Sequence, residues 1–106
     1  MTMDDCVGWA RDIVRACEDA GYDRRDTTSC AARSALGDIE DLAEAPSSTR
    51  CTWTQCVVPT LRGYVDQAKR AGRPERARVY EACIAVRLLA VEVARAALGG
   101  GRSQRA

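Results

Sequence analysis

The chain contains no histidine and no phenylalanine, and its aromatic residues are only Trp9, Tyr22, Trp53, Tyr64 and Tyr80. Without His the usual acid–base pairs and nucleophilic triads are unavailable. A zinc-type site would have to come from four cysteines, or from cysteines helped by carboxylates. There is no CxxC pair, and Gly99 to Gly101 follow a helical pattern instead of opening one, so no phosphate-binding loop is present. A long apolar run is missing too. The most apolar stretch, Ala82 to Leu98, carries Arg87, Glu92 and Arg95, and is too short and too charged to cross a bilayer. Met1 to Asp5 is polar and acidic and lacks the basic start and apolar segment of a secretory leader. Met1 is then either a true start or stands where a leader was removed.

What is present is alanine, small aliphatic side chains and charge: 46% of the 106 residues are hydrophobic and 29% charged. This length carries one domain and one core. Small side chains suit closely spaced helices, whereas strands collect β-branched and aromatic residues. The expected fold is all-α, a four-helix up-down bundle forming a single domain over residues 1–98, with 99–106 (GGGRSQRA) as a flexible tail.

Four helical segments separate by periodicity and punctuation. The first spans about 4–20, with acids at its N-terminal end, Gly21 as its stop, and Cys6, Ala10, Ile13, Cys17 and Ala20 as its apolar stripe. The second spans about 29–45. Asp26, Thr27, Thr28 and Ser29 are its competent caps, Ala32, Ala35, Leu36, Ile39, Leu42 and Ala43 its inward set, and Pro46 its end. After a turn at Ser47 to Arg50, the third spans about 51–71 with Trp53, Cys56, Val57, Leu61, Tyr64, Val65 and Ala68 inward. Pro59 lacks an amide and crowds the carbonyl of Gln55, so this helix either kinks there or a short first turn ends and Pro59 opens the main helix. Gly72-Arg73-Pro74 marks the next boundary, and the fourth helix spans about 74–98.

Six cysteines in so short a chain, an even count, favour disulfide staples in an oxidising compartment. Cys6 and Cys17 are three turns apart on one face, about 16 Å along the axis, whereas bridged Cα atoms lie within about 7 Å. They cannot pair with each other. An antiparallel bundle favours Cys17–Cys30, and Cys6 with Cys51 or Cys56, leaving Cys83 to take what remains. A reactive thiol would want a helix start and basic company, for which Cys51 beside Arg50 is the nearest match. The Cys51–Cys56 interval repeats one found in elicitins, but the remaining spacings match neither elicitins, saposins nor insect odorant-binding proteins, and no family is assigned on them.

Charge is divided along the chain. Residues 1–46 hold five Arg and eleven acids, net −6, and residues 47–106 hold eleven basic and four acidic residues, net +7. The basic concentration is Arg62, Lys69, Arg70, Arg73, Arg76 and Arg78, around the turn between helices three and four. Either the acidic hairpin neutralises it inside the bundle, or it meets another protein with an acidic surface. Nucleic acid is disfavoured, since overall charge is near neutral and no binding motif accompanies the cluster. Asp38, Glu40, Asp41 and Glu44 read as carboxylates that solvate a helix face. Helix four carries two adjoining apolar stripes, Tyr80, Ile84, Leu88, Val91, Leu98 and Val79, Cys83, Val86, Ala90, Val93, Ala97. Such an arc suits either the central helix of the bundle or the seam of a homodimer.

The resulting expectation is a non-catalytic, secreted or periplasmic binding protein of inhibitor, immunity-factor or adaptor type, without cofactor and without membrane insertion. Two alternatives stand beside it. One is a cytoplasmic thiol protein that stores metal or exchanges disulfides through Cys51 and Cys56, and the other is a carrier of small apolar ligands in a cavity among alanine-rich helices.

Overall fold

The computed structural model describes residues 1–46 and 53–105. Its elements are α1 (Met3–Asp19), α2 (Thr27–Glu44), a π-helical turn (Trp53–Val57) that runs into α3 (Val58–Arg70), and α4 (Pro74–Arg105). The chain is all-helical, with four helices packed together, and no strand occurs among the described residues.

Each helix begins and ends where its local chemistry directs. Thr2 caps α1 in a reciprocal box: the Asp5 amide donates to the Thr2 hydroxyl (3.2 Å) and the Thr2 amide donates to the Asp5 carboxylate (2.8 Å). That backbone bond from Thr2 holds the Asp5 carboxyl below its ordinary range. Of the four candidate caps before α2, Asp26 is the one used, accepting from the Thr28 amide at 2.8 Å. Thr28 and Ser29 are carried inside the helix and buried.

Helices α1 and α3 stop by the same device. Gly21 (φ 78°) and Gly72 (φ 70°) take left-handed backbone that other residues adopt at a cost. The Tyr22 amide then reaches the Cys17 carbonyl, and the Arg73 amide the Ala68 carbonyl, closing paired Schellman motifs.

Of the two outcomes expected at Pro59, the second is observed. A short π-helical turn precedes α3, and Pro59 lies in the first turn of α3. The widened turn takes up the crowding at Gln55, and the Thr60 hydroxyl donates to the Cys56 carbonyl at 2.8 Å. The helix expected over about 74–98 has its bounds at Pro74 and Arg105, so that it includes the glycines. Extending a helix that already exists avoids the nucleation penalty, and each glycine costs only about 1 kcal/mol relative to alanine.

Side-chain pairs fix the helix directions. Arg76 meets Asp26, Tyr80 meets Thr28, and Arg87 meets Ser34 and Asp38, so α2 and α4 run the same way. The tight turns at Gly21 and Gly72 send α1 and α3 the opposite way. Helix α4 packs against α1, α2 and α3 alike, which is the central position its broad apolar arc suggested. At 32 residues it is about 48 Å long, close to the 51 Å length of the whole molecule. Val86 and Ala90 are enclosed in the core, while Leu88 is left 38% exposed on the outer side. Ala20, Ala43 and Cys56, expected inward, are exposed. No helix is long and apolar enough to cross a membrane among the described residues.

The expectation of disulfide staples is corrected. Cys6, Cys17, Cys30, Cys56 and Cys83 are all free, and no pair of them lies at bonding distance. The reason is rotation about the helix axes. Cys6, Cys17 and Cys83 point into the core with almost no exposure. Cys30 follows the buried Ser29, one residue or about 100° further round, and faces solvent, its thiol donating to the Arg24 carbonyl at 3.3 Å. Cys17–Cys30 therefore joins an inward residue to an outward one, and the same holds for Cys6–Cys56. The Cys6–Cys51 pairing, the Arg50–Cys51 neighbourhood and the turn at Ser47 to Arg50 lie outside the described residues.

Candidate binding surfaces and the α2–α3 groove

Two places on the molecule concentrate chemistry. The first is the end of the α3–α4 hairpin, where the basic residues were expected to act together. Lys69 and Arg70 occupy the last turn of α3, Arg73 follows Gly72, and Arg78 lies one turn into α4. All four are exposed and make no ion pair among the described residues. Part of their role is local, since cations on the last turn of α3 face the negative end of its dipole.

Arg62 and Arg76 do not join this patch. Arg62 stands on the outer α3–α4 groove, whose lining includes Asp66 and Glu81. Arg76 turns inward, donating to Asp26 at 2.6 Å and to the Thr28 hydroxyl at 2.9 Å, with its guanidinium 4.2 Å over the Tyr22 ring. Thr28 also bonds the Tyr80 hydroxyl at 3.0 Å, and the Tyr80 ring packs against Tyr64. The bond from Arg76 holds the Asp26 carboxyl below its ordinary range. Arg76 thus ties the α1–α2 loop to the start of α4.

The second place is a groove of about 360 Å³ between α2 and α3, two helices that scarcely touch each other. Its walls carry Cys30, Ala31 and Ser34 from α2 and Val57, Leu61 and Tyr64 from the α3 side, together with Cys56 in the π turn. Arg87 of α4 lies beneath. It is 1% exposed and gives two bonds to Asp38, from Nε at 3.2 Å and Nη2 at 2.9 Å. Its Nη1 faces the Cys83 carbonyl at 3.4 Å, and the Trp53 ring centre is 5.9 Å from the guanidinium carbon.

The thiols fall into two groups around this groove. Burial pushes the Cys83 thiol up to about 12, and raises those of Cys6 and Cys17 as well, so these three stay protonated and enclosed. Cys30 and Cys56 are exposed on the groove itself. No cluster of three or more metal-ligating side chains occurs among the described residues.

Sequence reasoning located the basic end of the hairpin but missed the groove. Arg87 registered there only as a charge that spoke against a membrane span, and Asp38 only as one of several solvated carboxylates. One signal was available: an arginine between the apolar residues Val86 and Leu88 of a wide hydrophobic arc requires a partner. Comparison with protein-family models, with curated proteins and with solved structures finds no match to this chain.

Proposed function

We propose that the protein is a non-catalytic binding module whose α3–α4 hairpin end docks an acidic surface on another protein. The observation that carries this reading is the group Lys69, Arg70, Arg73 and Arg78, exposed and without an ion pair among the described residues. Two of the chain's arginines, Arg76 and Arg87, are drawn inward by Asp26 and Asp38; the hairpin-end cations have no such partner among the described residues. Cations left uncompensated on one end of a near-neutral chain steer anionic partners and select among them.

The free thiols also support a reading of the compartment. The case for export rested on staples, and cysteines that are free, three of them core residues with protonated thiols, suit a reducing interior such as the cytoplasm.

Binding to poly-L-glutamate and to a duplex DNA of matched charge, each across a salt series, tests the reading. The native protein is expected to bind poly-L-glutamate at low ionic strength and to lose it as salt rises. Reversing the four cations (K69E, R70E, R73E, R78E) should abolish that binding, while R62E should leave it nearly unchanged. Tighter binding to DNA, or full binding by the four-fold variant with its helical spectrum intact, overturns the reading.

A further inference from the structure

Arg76 and Arg87 use their donors differently. Arg87 gives Asp38 the Nε–Nη2 edge of its guanidinium, the fork that matches a carboxylate with two parallel bonds. Arg76 meets both Asp26 and the Thr28 hydroxyl through Nη1 instead. Its Nε and Nη2 have no partner among the described residues, and the side chain is 21% exposed, so solvent reaches it. Arg76 lines a pocket of about 350 Å³, together with Thr27 at the start of α2, Tyr64 and Gln67 of α3, Ala71 at the end of α3, and Tyr80. Short contacts join three of these. Arg76 bonds Thr28, Thr28 bonds the Tyr80 hydroxyl at 3.0 Å, and the Tyr80 and Tyr64 ring centres are 5.3 Å apart. No carboxylate lines the pocket, and Arg76 is its one charged lining residue among those described. Arg70 precedes Ala71 in the chain and Arg73 follows it by two residues, so the hairpin-end cations belong to the same turn.

Resting on the docking reading above, we propose that this pocket seats one carboxylate of the partner, a glutamate or aspartate side chain, on the Nε–Nη2 edge of Arg76. Asp26 already offsets the charge of Arg76 and no second cation lines the pocket, so a monoanion is matched and a phosphate dianion is not. The exposed cations draw an acidic surface to the hairpin end, and the pocket selects which acid is held there. Two charge-assisted bonds to a partly desolvated fork give that acid a geometry that the surface cations alone do not impose.

Two measurements test the site. Isotopically labelled protein is titrated with N-acetyl-L-glutamate α-amide, which carries one carboxylate, and separately with inorganic phosphate. The Arg76 Nε–H resonance, assigned by its loss in Arg76→Lys, reads the fork directly. It should shift saturably with the carboxylate and less with phosphate at equal ionic strength. Gln67→Glu places a carboxylate of the chain's own at the pocket wall and should suppress the shift; Gln67 is exposed, so the fold is kept. The second measurement is binding to poly-L-glutamate at low salt. Gln67→Glu and Lys69→Gln each lower the net charge by one at the same end of α3, so steering alone makes their losses equal. Capture in the pocket makes the loss in Gln67→Glu about fivefold larger. Equal losses, an Arg76 Nε–H that does not shift or still shifts in Gln67→Glu, or a stronger response to phosphate overturns the site and leaves the hairpin-end reading standing. A native protein that binds no poly-L-glutamate overturns both.

Discussion

Arg76 and Arg87 sit eleven residues apart on α4, one paired with Asp26, the cap of α2, and the other with Asp38 within α2, yet the two pairs are physically different objects. The Arg76–Asp26 contact is short, 2.6 Å, but both side chains keep about a fifth of their surface in water (21% and 23%). The Arg87–Asp38 contact is slightly longer, 2.9 Å, with the arginine 1% exposed and the aspartate 32% exposed. Water can replace either partner of the outer pair. At the inner pair it can replace Asp38's partner, but it cannot reach Arg87. The lesson is that the energetic weight of a pair lies in what remains after one partner is removed.

This asymmetry predicts the largest effect at Asp38. Asp38→Ala leaves a guanidinium in the core with the Ser34 hydroxyl and the Cys83 carbonyl as its hydrogen-bond partners among the described residues, and breaking a buried pair in that way costs about 3–5 kcal/mol. Arg87→Met should cost less, about 1.5–3 kcal/mol, because methionine fills the space and Asp38 regains water. Urea unfolding of the two variants gives the order directly. Equal losses would mean that the guanidinium rehydrates as readily as the carboxylate, and the contrast with the outer pair would collapse.

The outer pair should respond more weakly and should depend on pH. Asp26→Ala removes both the cap of α2 and the partner of Arg76, for about 1–2 kcal/mol together. Arg76→Ala should cost about 1 kcal/mol, from the ion pair and its place over Tyr22. The Asp26 carboxyl titrates below its unfolded value, chiefly through its bond to Arg76. Its contribution is therefore complete above the unfolded pKa of about 4 and is lost as pH falls through the lower folded value. The stability gap between native protein and Asp26→Asn should be widest at neutral pH and shrink below about pH 4. A gap that stays constant down to pH 2 would show that Asp26 acts as a cap alone.

How far these pairs could be read from the sequence differs between them for a physical reason. Periodicity tells which face of a helix is apolar, and punctuation by Asp26, Gly21, Gly72, Pro59 and Pro74 tells where helices start and stop. Both were legible. Neither tells how far one helix is rotated against another, which decides that Arg76 leaves the surface patch and that Cys30 turns away from Cys17. The Arg87–Asp38 contact spans 49 residues, and nothing local in Asp38 distinguishes it from Glu40 or Asp41. The helical path of α4 beyond Leu98 was hidden for the opposite reason. Glycine propensity is a local quantity, and it does not register a helix already formed upstream.

The smallest effect separates the two ends in their dynamics. Cys17 and Cys83 lie within electrostatic reach of each other, but Cys17 also feels Asp26 and Arg76 of the outer pair, whereas Cys83 feels Arg87, one turn further along α4. Both thiols are enclosed, so each reacts with an alkylating reagent only when its surroundings open. In the native protein Cys17 should label faster than Cys83, because the end held by the hydrated pair opens at lower free energy. Arg87→Met should then speed Cys83 strongly and change Cys17 less than about twofold, since opening at the outer end leaves the inner pair closed. Peptide-level mass spectrometry resolves the two rates. If both thiols speed up in step, the two ends open as one unit, and the difference between the pairs is confined to energy.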